Sequence, residues 1–237
     1  ADPRPDTLPE PDRLEGAPHP RETGVLYGHA AQESDILQAF NSSRLHHAWM
    51  LTGPKGVGKA TLAWRAARFL LATPEDDGGM FAAPAPDTLD IPAENPVSRR
   101  MLQLAEPRNF LLRRGPNDKE TALSQVISVD EVRKMKSFFA LSAADGGRRT
   151  AIIDSLDEMN TAAANALLKL LEEPPANVTL FLIAHQPARL LPTIRSRCRE
   201  LRLTPLAPQE LADALTQAGG DIAPEDRTAL AELSGGS

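Results

Sequence analysis

The amino-acid sequence predicts an α/β fold, in which helices cover both faces of a parallel sheet. Apolar segments with strand character alternate with helical segments through most of the chain, which is the pattern of a parallel sheet. A glycine-rich loop follows the first of these strands and opens a helix. After Pro205 only helical patterns remain, so a domain boundary is predicted near residue 205.

Length and composition place the chain among ordinary soluble globular proteins. Its 237 residues, 41% hydrophobic and 24% charged, suffice for one α/β domain of about 200 residues with a smaller part attached. No apolar run approaches the roughly 20 residues needed to span a bilayer, and residues 1–19 contain no apolar signal-peptide region. We therefore expect a cytoplasmic protein with no membrane partner.

Charge and cysteine content argue against several kinds of site. A formal net charge of −6 argues against a protein that grips DNA alone, because neutralising phosphates requires concentrated Lys and Arg. The arginines within 113–114, 148–149 and 195–202 are interpreted mainly as solvated surface charge, with a DNA track as the alternative. The single cysteine, Cys198, excludes an intrachain disulfide, and the five histidines lack zinc-ligand spacing, so no zinc is expected.

The first part of the chain contains an arm, two helices, a strand and an insertion. Residues 1–24 are rich in proline and charge and predict an extended N-terminal arm, for which a loose tail and a docking arm are both open interpretations. A helix is predicted over 30–40, a buried strand over 47–52 and a second helix over 58–71. Residues 73–97, rich in Pro, Ala and Asp, predict a surface insertion.

The rest of the chain continues the alternation of strands and helices. Ser128 and Glu131 form a capping-box pattern at the start of one helix. Asn160 is the predicted N-cap of another, and Pro174 follows its end. Further strands are predicted over 109–114, 150–154, 178–184 and 200–203, and further helices over 128–141, 161–173, 189–197, 208–218 and 224–233.

The loop after the first strand has the pattern of a phosphate-binding loop. It runs through Gly53, Pro54, Lys55, Gly56, Val57, Gly58, Lys59, Ala60 and Thr61. Its glycines let backbone N–H groups turn inward, the helix N-terminus favours an anion, and Lys59 is placed to reach the β- and γ-phosphates of a nucleotide. A glycine-rich turn without a ligand is the less favoured interpretation, because strand, loop, lysine and helix all agree.

Two departures from that pattern weaken the predicted site. Ala60 stands where a Ser or Thr hydroxyl would bind Mg²⁺, and Thr61 is turned about 100° around the helix from that position. Asp154 ends an apolar strand in the manner of a magnesium-binding carboxylate, but Ser155 follows it, and a serine is a poor general base. We expect a degenerate site for ATP or ADP, and the sequence leaves magnesium open.

A second motif carries an arginine at the end of a short predicted helix. The residues are Arg195, Ser196, Arg197 and Cys198. A rigidly held, exposed guanidinium at Arg197 is suited to enter a neighbouring subunit and stabilise charge on a transferring phosphoryl group. A salt bridge within the domain is the alternative role for Arg197.

Together these residues resemble the clamp-loader branch of the AAA+ proteins, and in particular its bacterial delta-prime family. The resemblance covers about residues 27–206, and its most specific parts are the segment 165–175 and the Ser-Arg-Cys motif around Arg197. It implies a RecA-like P-loop domain over 25–205 and a small helical lid of which 206–237 is the first part. The family's C-terminal collar domain is expected to be absent from this chain.

The resemblance also implies a role and partners. In this family Arg197 would be an arginine finger acting in trans on a neighbour's ATP site, whereas motor subunits keep Thr and Glu where this chain has Ala60 and Ser155. The implied partners are the gamma/tau and delta subunits of a DNA polymerase III clamp loader, and, through the complex, the sliding clamp and primed DNA. Many members carry a four-cysteine zinc module where this sequence has 73–97, so zinc is not implied.

Two other functions remain as alternatives. The first is a self-sufficient ATPase motor of the gamma/tau type, in which Lys59 and Asp154 act and Asp157 or Glu158 aligns the attacking water. The second is a scaffold that binds no nucleotide. Ser155 counts against the motor, and the complete glycine-rich loop counts against the scaffold.

Overall fold

A parallel sheet forms the centre of the computed structural model, which describes residues 8–13, 17–74, 84–117, 119–141 and 147–217. Its strands are β1 (Ala48–Thr52), β2 (Asn109–Leu112), β3 (Arg149–Ile153), β4 (Val178–Ala184) and β5 (Arg199–Arg202). They form a five-stranded sheet in the order β2-β3-β4-β1-β5, and every neighbouring pair is parallel. The predicted fold class is confirmed.

Helices connect the strands and flank the sheet. They are α1 (Ala30–Asn41), α2 (Lys59–Ala72), α3 (Pro96–Leu102), α4 (Val129–Leu141), α5 (Thr161–Glu172), α6 (Pro192–Arg195) and α7 (Pro208–Gln217). The helix predicted over 224–233 lies outside the described residues. Across the ranges that the structure describes, no helix combines the length and the apolar character needed to cross a membrane.

Side-chain alternation along the strands divides the core into two layers, because successive residues point to opposite faces. On one face, Trp49, Leu51 and Phe181 pack with α1, α2 and α3. On the other, Met50 and Leu182 pack with α4, α5 and α6. With both faces covered, β1, β3 and β4 are buried along their whole length.

Capping groups fix where the helices of the second face begin. Asn160 Oδ1 accepts a hydrogen bond from Ala163 N–H at 2.8 Å, so the predicted N-cap of α5 is confirmed. At the start of α4, Ser128 Oγ accepts from Glu131 N–H at 3.4 Å. This bond is the first half of the predicted capping box. The second half would need the Glu131 carboxylate at the backbone N–H of Ser128, whereas that carboxylate lies 2.6 Å from Lys134 Nζ.

The helix predicted over 189–197 is shorter than expected. A 3₁₀ turn covers Pro187–Arg189, and the four-residue α6 begins only at Pro192. Pro192 explains the break, because its fixed φ and missing N–H suit the first helical position. It also holds the preceding Leu191 away from helical geometry, with ψ at 127°.

The segment 73–97 is not confined to the surface at its C-terminal end, contrary to the predicted surface insertion. Leu89 is 3% exposed and packs in the core of the first face, and Val97 belongs to the unpredicted α3. Asp90 Oδ1 lies 2.7 Å from Arg65 Nη2 on α2. The proline-rich composition of the segment gave no indication of these contacts, because each contact is made by a single residue among loop-forming neighbours.

Replacing Leu167 with Ala is expected to lower the free energy of unfolding by about 2–5 kcal/mol, because the side chain is fully buried beneath α5. Asn165→Ala, on the exposed side of the same helix, is the matched control and is expected to change it by less than about 0.5 kcal/mol. Urea unfolding followed by circular dichroism measures both. Equal effects of the two variants would contradict the packing of α5.

Candidate functional site

The predicted phosphate-binding loop lies between the carboxyl end of β1 and the start of α2. Gly53 and Gly58 adopt positive φ angles of 141° and 95°. A Cβ at Gly53 would collide with the carbonyl of Leu203, and one at Gly58 would lie 2.7 Å from Leu26 Cδ1. Only glycine therefore fits at these two positions, and the loop is packed tightly between segments before α1 and after β5.

Lys59 is the first residue of α2 and is only 3% exposed. Its ammonium donates hydrogen bonds to the carbonyl oxygens of Gly53, at 2.7 Å, and of Pro54. Burial lowers the pKa of Lys59 to about 8, although the nearby Asp154 favours the charged form. The loop's own carbonyl oxygens thus hold the group that would otherwise reach a phosphate.

Asp154 follows β3 and lines the same cavity as Lys59. Burial raises the pKa of Asp154 to about 7, and the carboxylates of Asp12 and Glu158 act in the same direction. Ser155 is 2% exposed and also lines the cavity. The structure therefore brings the loop lysine and the strand-end carboxylate to one cavity, and the Ser155 hydroxyl stands in its wall instead of the carboxylate base that the motor alternative requires.

The two acidic residues considered as substitutes for that base have partners of their own. Asp157 accepts hydrogen bonds from the backbone N–H groups of His185 and Gln186, at 2.6 and 2.8 Å. Glu158 lines the cavity, and its Oε2 lies 3.0 Å from Arg114 Nε in an ion pair. Both carboxylates are therefore engaged by the protein itself.

His185 is a cavity residue that the sequence interpretation missed. It directly follows β4 and lines the cavity with Lys59 and Asp154. Burial, aided by the charge of Lys59, lowers the pKa of His185 to about 4, so its ring is neutral at physiological pH. The available signal was a polar residue at the carboxyl end of a central parallel strand, the edge at which such sheets bind ligands.

The cavity is closed in part by the N-terminal arm. Its volume is about 310 Å³, near the lower end of the range of roughly 300–1,000 Å³ found for ligand pockets. The arm residues in its wall are Pro11, Asp12, Arg13, Ala17, Pro18, Pro20 and Thr23. The described part of the arm is thus docked against the predicted phosphate-binding loop.

The loop residues of this cavity suit phosphate groups better than they suit magnesium, although the docked arm occupies part of the space. The glycine turns, the N-terminus of α2 and Lys59 supply a cradle for phosphate groups. Ala60 has no hydroxyl to offer a metal. Thr61 follows it by one residue and still lines the cavity, so a threonine hydroxyl is present in the wall. A bound nucleotide would be held by the loop and Lys59, and a magnesium ion would have Asp154 and Thr61 as candidate oxygen ligands.

Arg197 lies apart from that cavity, in the turn between α6 and β5. Its side chain is 35% exposed, Nη2 lies 2.9 Å from Glu172 Oε1, and Nη1 donates to Thr193 O at 2.9 Å. The salt bridge considered as an alternative role is therefore present, while the guanidinium remains accessible. The neighbouring Cys198 packs against the core, and burial raises the pKa of its thiol to about 12, so it acts as a packing residue.

Several arginines of the candidate DNA track make contacts within the domain. Arg149 is 6% exposed and donates to a carbonyl oxygen of α4. The guanidinium of Arg148 lies 4.6 Å from the ring centroid of Phe40, and that of Arg199 lies 4.7 Å from that of Trp49. Arg149 is buried, whereas Arg148 and Arg199 lie over aromatic rings and Arg199 remains exposed. Their different surroundings weaken the interpretation of the arginines as one DNA-binding track.

Comparisons with known proteins agree with this arrangement. The family model described as "DNA polymerase III, delta subunit" matches residues 28–207. The DNA polymerase III subunit delta' of Pseudomonas aeruginosa is 36% identical over 193 residues, which cover 81% of this chain and 53% of the relative. The DNA polymerase III subunit gamma/tau of Mycobacterium tuberculosis is 26% identical over 76% of this chain and 28% of the relative.

A solved structure supports the fold. The RuvB Holliday junction branch migration motor of Thermotoga maritima, an AAA+ protein, matches with a TM-score of 0.53 and 18% identity, covering 92% of this chain and 62% of that chain. At this identity the likeness shows the fold alone, a RecA-like P-loop fold. The chain spans about half the length of the Pseudomonas relative. Because the family model matches most of its residues, the chain belongs to the DNA polymerase III delta subunit family, which includes relatives named delta'.

Proposed function

We propose that this chain acts as the non-motor, delta-prime subunit of a cytoplasmic DNA polymerase III clamp loader. In that role it assembles with gamma/tau and delta subunits and helps to load the sliding clamp onto primed DNA. One observation carries the proposal. In a member of this family, a cavity beside the predicted phosphate-binding loop, with Ala60 and Ser155 in its wall, coexists with an accessible Arg197 outside that cavity.

The present partner of Arg197 is easily exchanged. The side chains of Arg197 and Glu172 are 35% and 41% exposed, and ion pairs of this kind contribute only about 0.2–1 kcal/mol. A phosphoryl group carries more negative charge than a carboxylate and accepts two hydrogen bonds from a guanidinium fork. A phosphate on an adjacent subunit would therefore compete with Glu172 for Arg197.

The backbone that carries Arg197 is anchored, which supports its use as a positioned finger. Pro192 begins α6, Ile194 is 1% exposed in the core, and Cys198 packs against the same layer. A charge acts on a transferring phosphoryl group only if it is delivered to a defined place. These contacts fix the point from which the side chain of Arg197 extends.

The chain's own cavity is proposed to hold ATP or ADP without turnover. Ala60 provides no hydroxyl for magnesium, and Ser155 stands in the place of a base. The alternative of a gamma/tau-type motor requires Asp157 or Glu158 to align water. The hydrogen bonds of Asp157 and the ion pair of Glu158 with Arg114 count against that alternative.

Arg197→Ala in a reconstituted clamp loader is expected to slow ATP hydrolysis at the site that Arg197 completes by at least about tenfold, since arginine fingers are worth larger factors elsewhere. Arg197→Lys should restore little, because an ammonium lacks the planar fork. Single-turnover hydrolysis in the presence of primed DNA and clamp measures the effect.

Two further variants separate a finger from a structural ion pair. Arg195→Ala removes an exposed arginine two residues away and should leave hydrolysis unchanged. Glu172→Gln removes the intradomain pair and keeps the guanidinium, so hydrolysis should stay close to the wild-type rate. An unchanged rate in Arg197→Ala, or an equal loss in Glu172→Gln, would contradict action in trans.

The purified chain with ATP and Mg²⁺ is expected to release phosphate no faster than its Lys59→Ala variant. Lys59 is the cation of the loop, so the variant sets the background from contaminating enzymes. A steady-state phosphate-release assay on matched preparations measures both. Turnover clearly above that of Lys59→Ala would identify the chain as a motor.

A further inference from the structure

The segment 8–13 of the N-terminal arm is held by a cluster of charges beside the cavity at the predicted phosphate-binding loop. Glu10 and Asp12 both contact Arg113, which follows β2; Glu10 Oε1 lies 3.4 Å from its Nη1. Glu10 also contacts Arg13 at 2.9 Å and Arg21 at 2.6 Å. The segment 8–13 is therefore attached to the sheet edge by ionic contacts, of which that of Glu10 is partly open to solvent and that of Asp12 is buried on the carboxylate side.

A second anchor holds the arm on α2. His19 is fully buried, and its ring lies edge-on to Trp64 with the centroids 6.0 Å apart. Its Nδ1 accepts a hydrogen bond from Arg21 N–H at 3.1 Å, so a proton is carried on Nε2, which lies 3.1 Å from Asp12 Oδ2. Arg68 donates to Arg21 O at 2.8 Å. This anchor is a packed one, and Asp12 joins it to the ionic cluster.

Asp12 places a negative charge in the wall of the cavity. Its side chain is 2% exposed. Burial opposes ionisation, but His19 and Arg113 hold the pKa of Asp12 below its usual range, so it is a carboxylate at neutral pH. Its influence reaches the site, because it helps to raise the pKa of Asp154. A polyphosphate beside Lys59 would meet this charge in a poorly solvated space.

The arm also occupies part of the cavity and blocks one side from which a ligand would enter. It contributes Pro11, Asp12 and Arg13 to the same wall as the loop, and the volume left is about 310 Å³. Meanwhile Lys59 is bonded to the carbonyl oxygens of Gly53 and Pro54. Space, charge and the lysine's contacts thus all act against an entering phosphate.

We propose that the segment 8–13 is a built-in competitor of nucleotide. While Glu10 and Asp12 lie on Arg113, the cavity excludes a nucleoside di- or triphosphate, and the phosphates reach Lys59 only after these carboxylates leave. The packed anchor at His19 stays in place, so the segment 8–13 moves away from the cavity while the arm remains attached at His19. This inference rests on the proposed nucleotide site of this chain and does not depend on Arg197.

The test compares nucleotide affinity in full chains that differ only in the arm's charges. Glu10→Gln combined with Asp12→Asn keeps the side-chain sizes and removes the attraction to Arg113. Its dissociation constant for a fluorescent ATP analogue is expected to fall by at least about tenfold, the factor that follows if the arm is docked in about nine molecules of ten. Asp130→Asn with Glu131→Gln, an acidic pair on α4, removes the same two charges elsewhere and should bind like wild type.

Two more variants make the result decisive. Arg113→Gln removes the cation of the contact, leaves the arm sequence intact, and should give the same gain in nucleotide affinity. It therefore tests the inference even if the arm variant proves unstable. Adding Lys59→Ala to the arm variant should abolish the gain, because the nucleotide then lacks its cation. Thermal unfolding confirms that each chain is folded.

The outcomes distinguish this inference from the proposed function. It is overturned if folded arm and Arg113 variants bind no tighter than wild type, if the α4 control gains as much, or if the gain survives Lys59→Ala. None of these results bears on hydrolysis by a reconstituted loader carrying Arg197→Ala. Conversely, loss of the finger role leaves the effect of the arm on nucleotide affinity intact.

Discussion

Burial of the Lys59 ammonium at the carboxyl edge of the sheet is the constraint on which the rest of the molecule depends. A cation that is 3% exposed needs oxygen partners, and the parallel order of the strands brings them to one place. The loop after β1 supplies two carbonyl oxygens, and Asp154 follows β3. The end of β4 supplies a histidine that is neutral, so no second cation is added. The cavity is thus a direct result of the topology.

Much of the fold could be predicted from the sequence because the signals for it are local. The apolar strand before Gly53 and the N-cap Asn160 each act over a few residues, and the structure has them as expected. The short α6 was overestimated because Pro192 both ends one segment and begins another. Leu89 was missed because a single buried residue in a proline-rich stretch leaves no periodic pattern.

The candidate site likewise has a part that the sequence predicts and a part that it does not. The loop and Asp154 could be predicted because each belongs to a motif of consecutive residues. The contacts of Asp157 with the backbone after β4, and of Asp12 with Arg113, join positions far apart in the chain. Neither hydrophobic periodicity nor a sequence motif predicts such pairs, so only the folded structure identifies them. The arginines illustrate the point, since Arg149 and Arg197 look alike in sequence but one is buried and the other accessible.

The edge strand β5 has a consequence for how the domain meets other chains. Within the part of the chain that the structure describes, it pairs only with β1, and its exposed residues are Arg199, Glu200 and Arg202. An open strand edge invites a foreign strand to add to the sheet, and charged side chains along the edge oppose that addition. The charged side chains of β5 therefore disfavour pairing of this edge with a strand of another chain. The same charges lower the tendency of the domain to aggregate through edge-to-edge strand pairing.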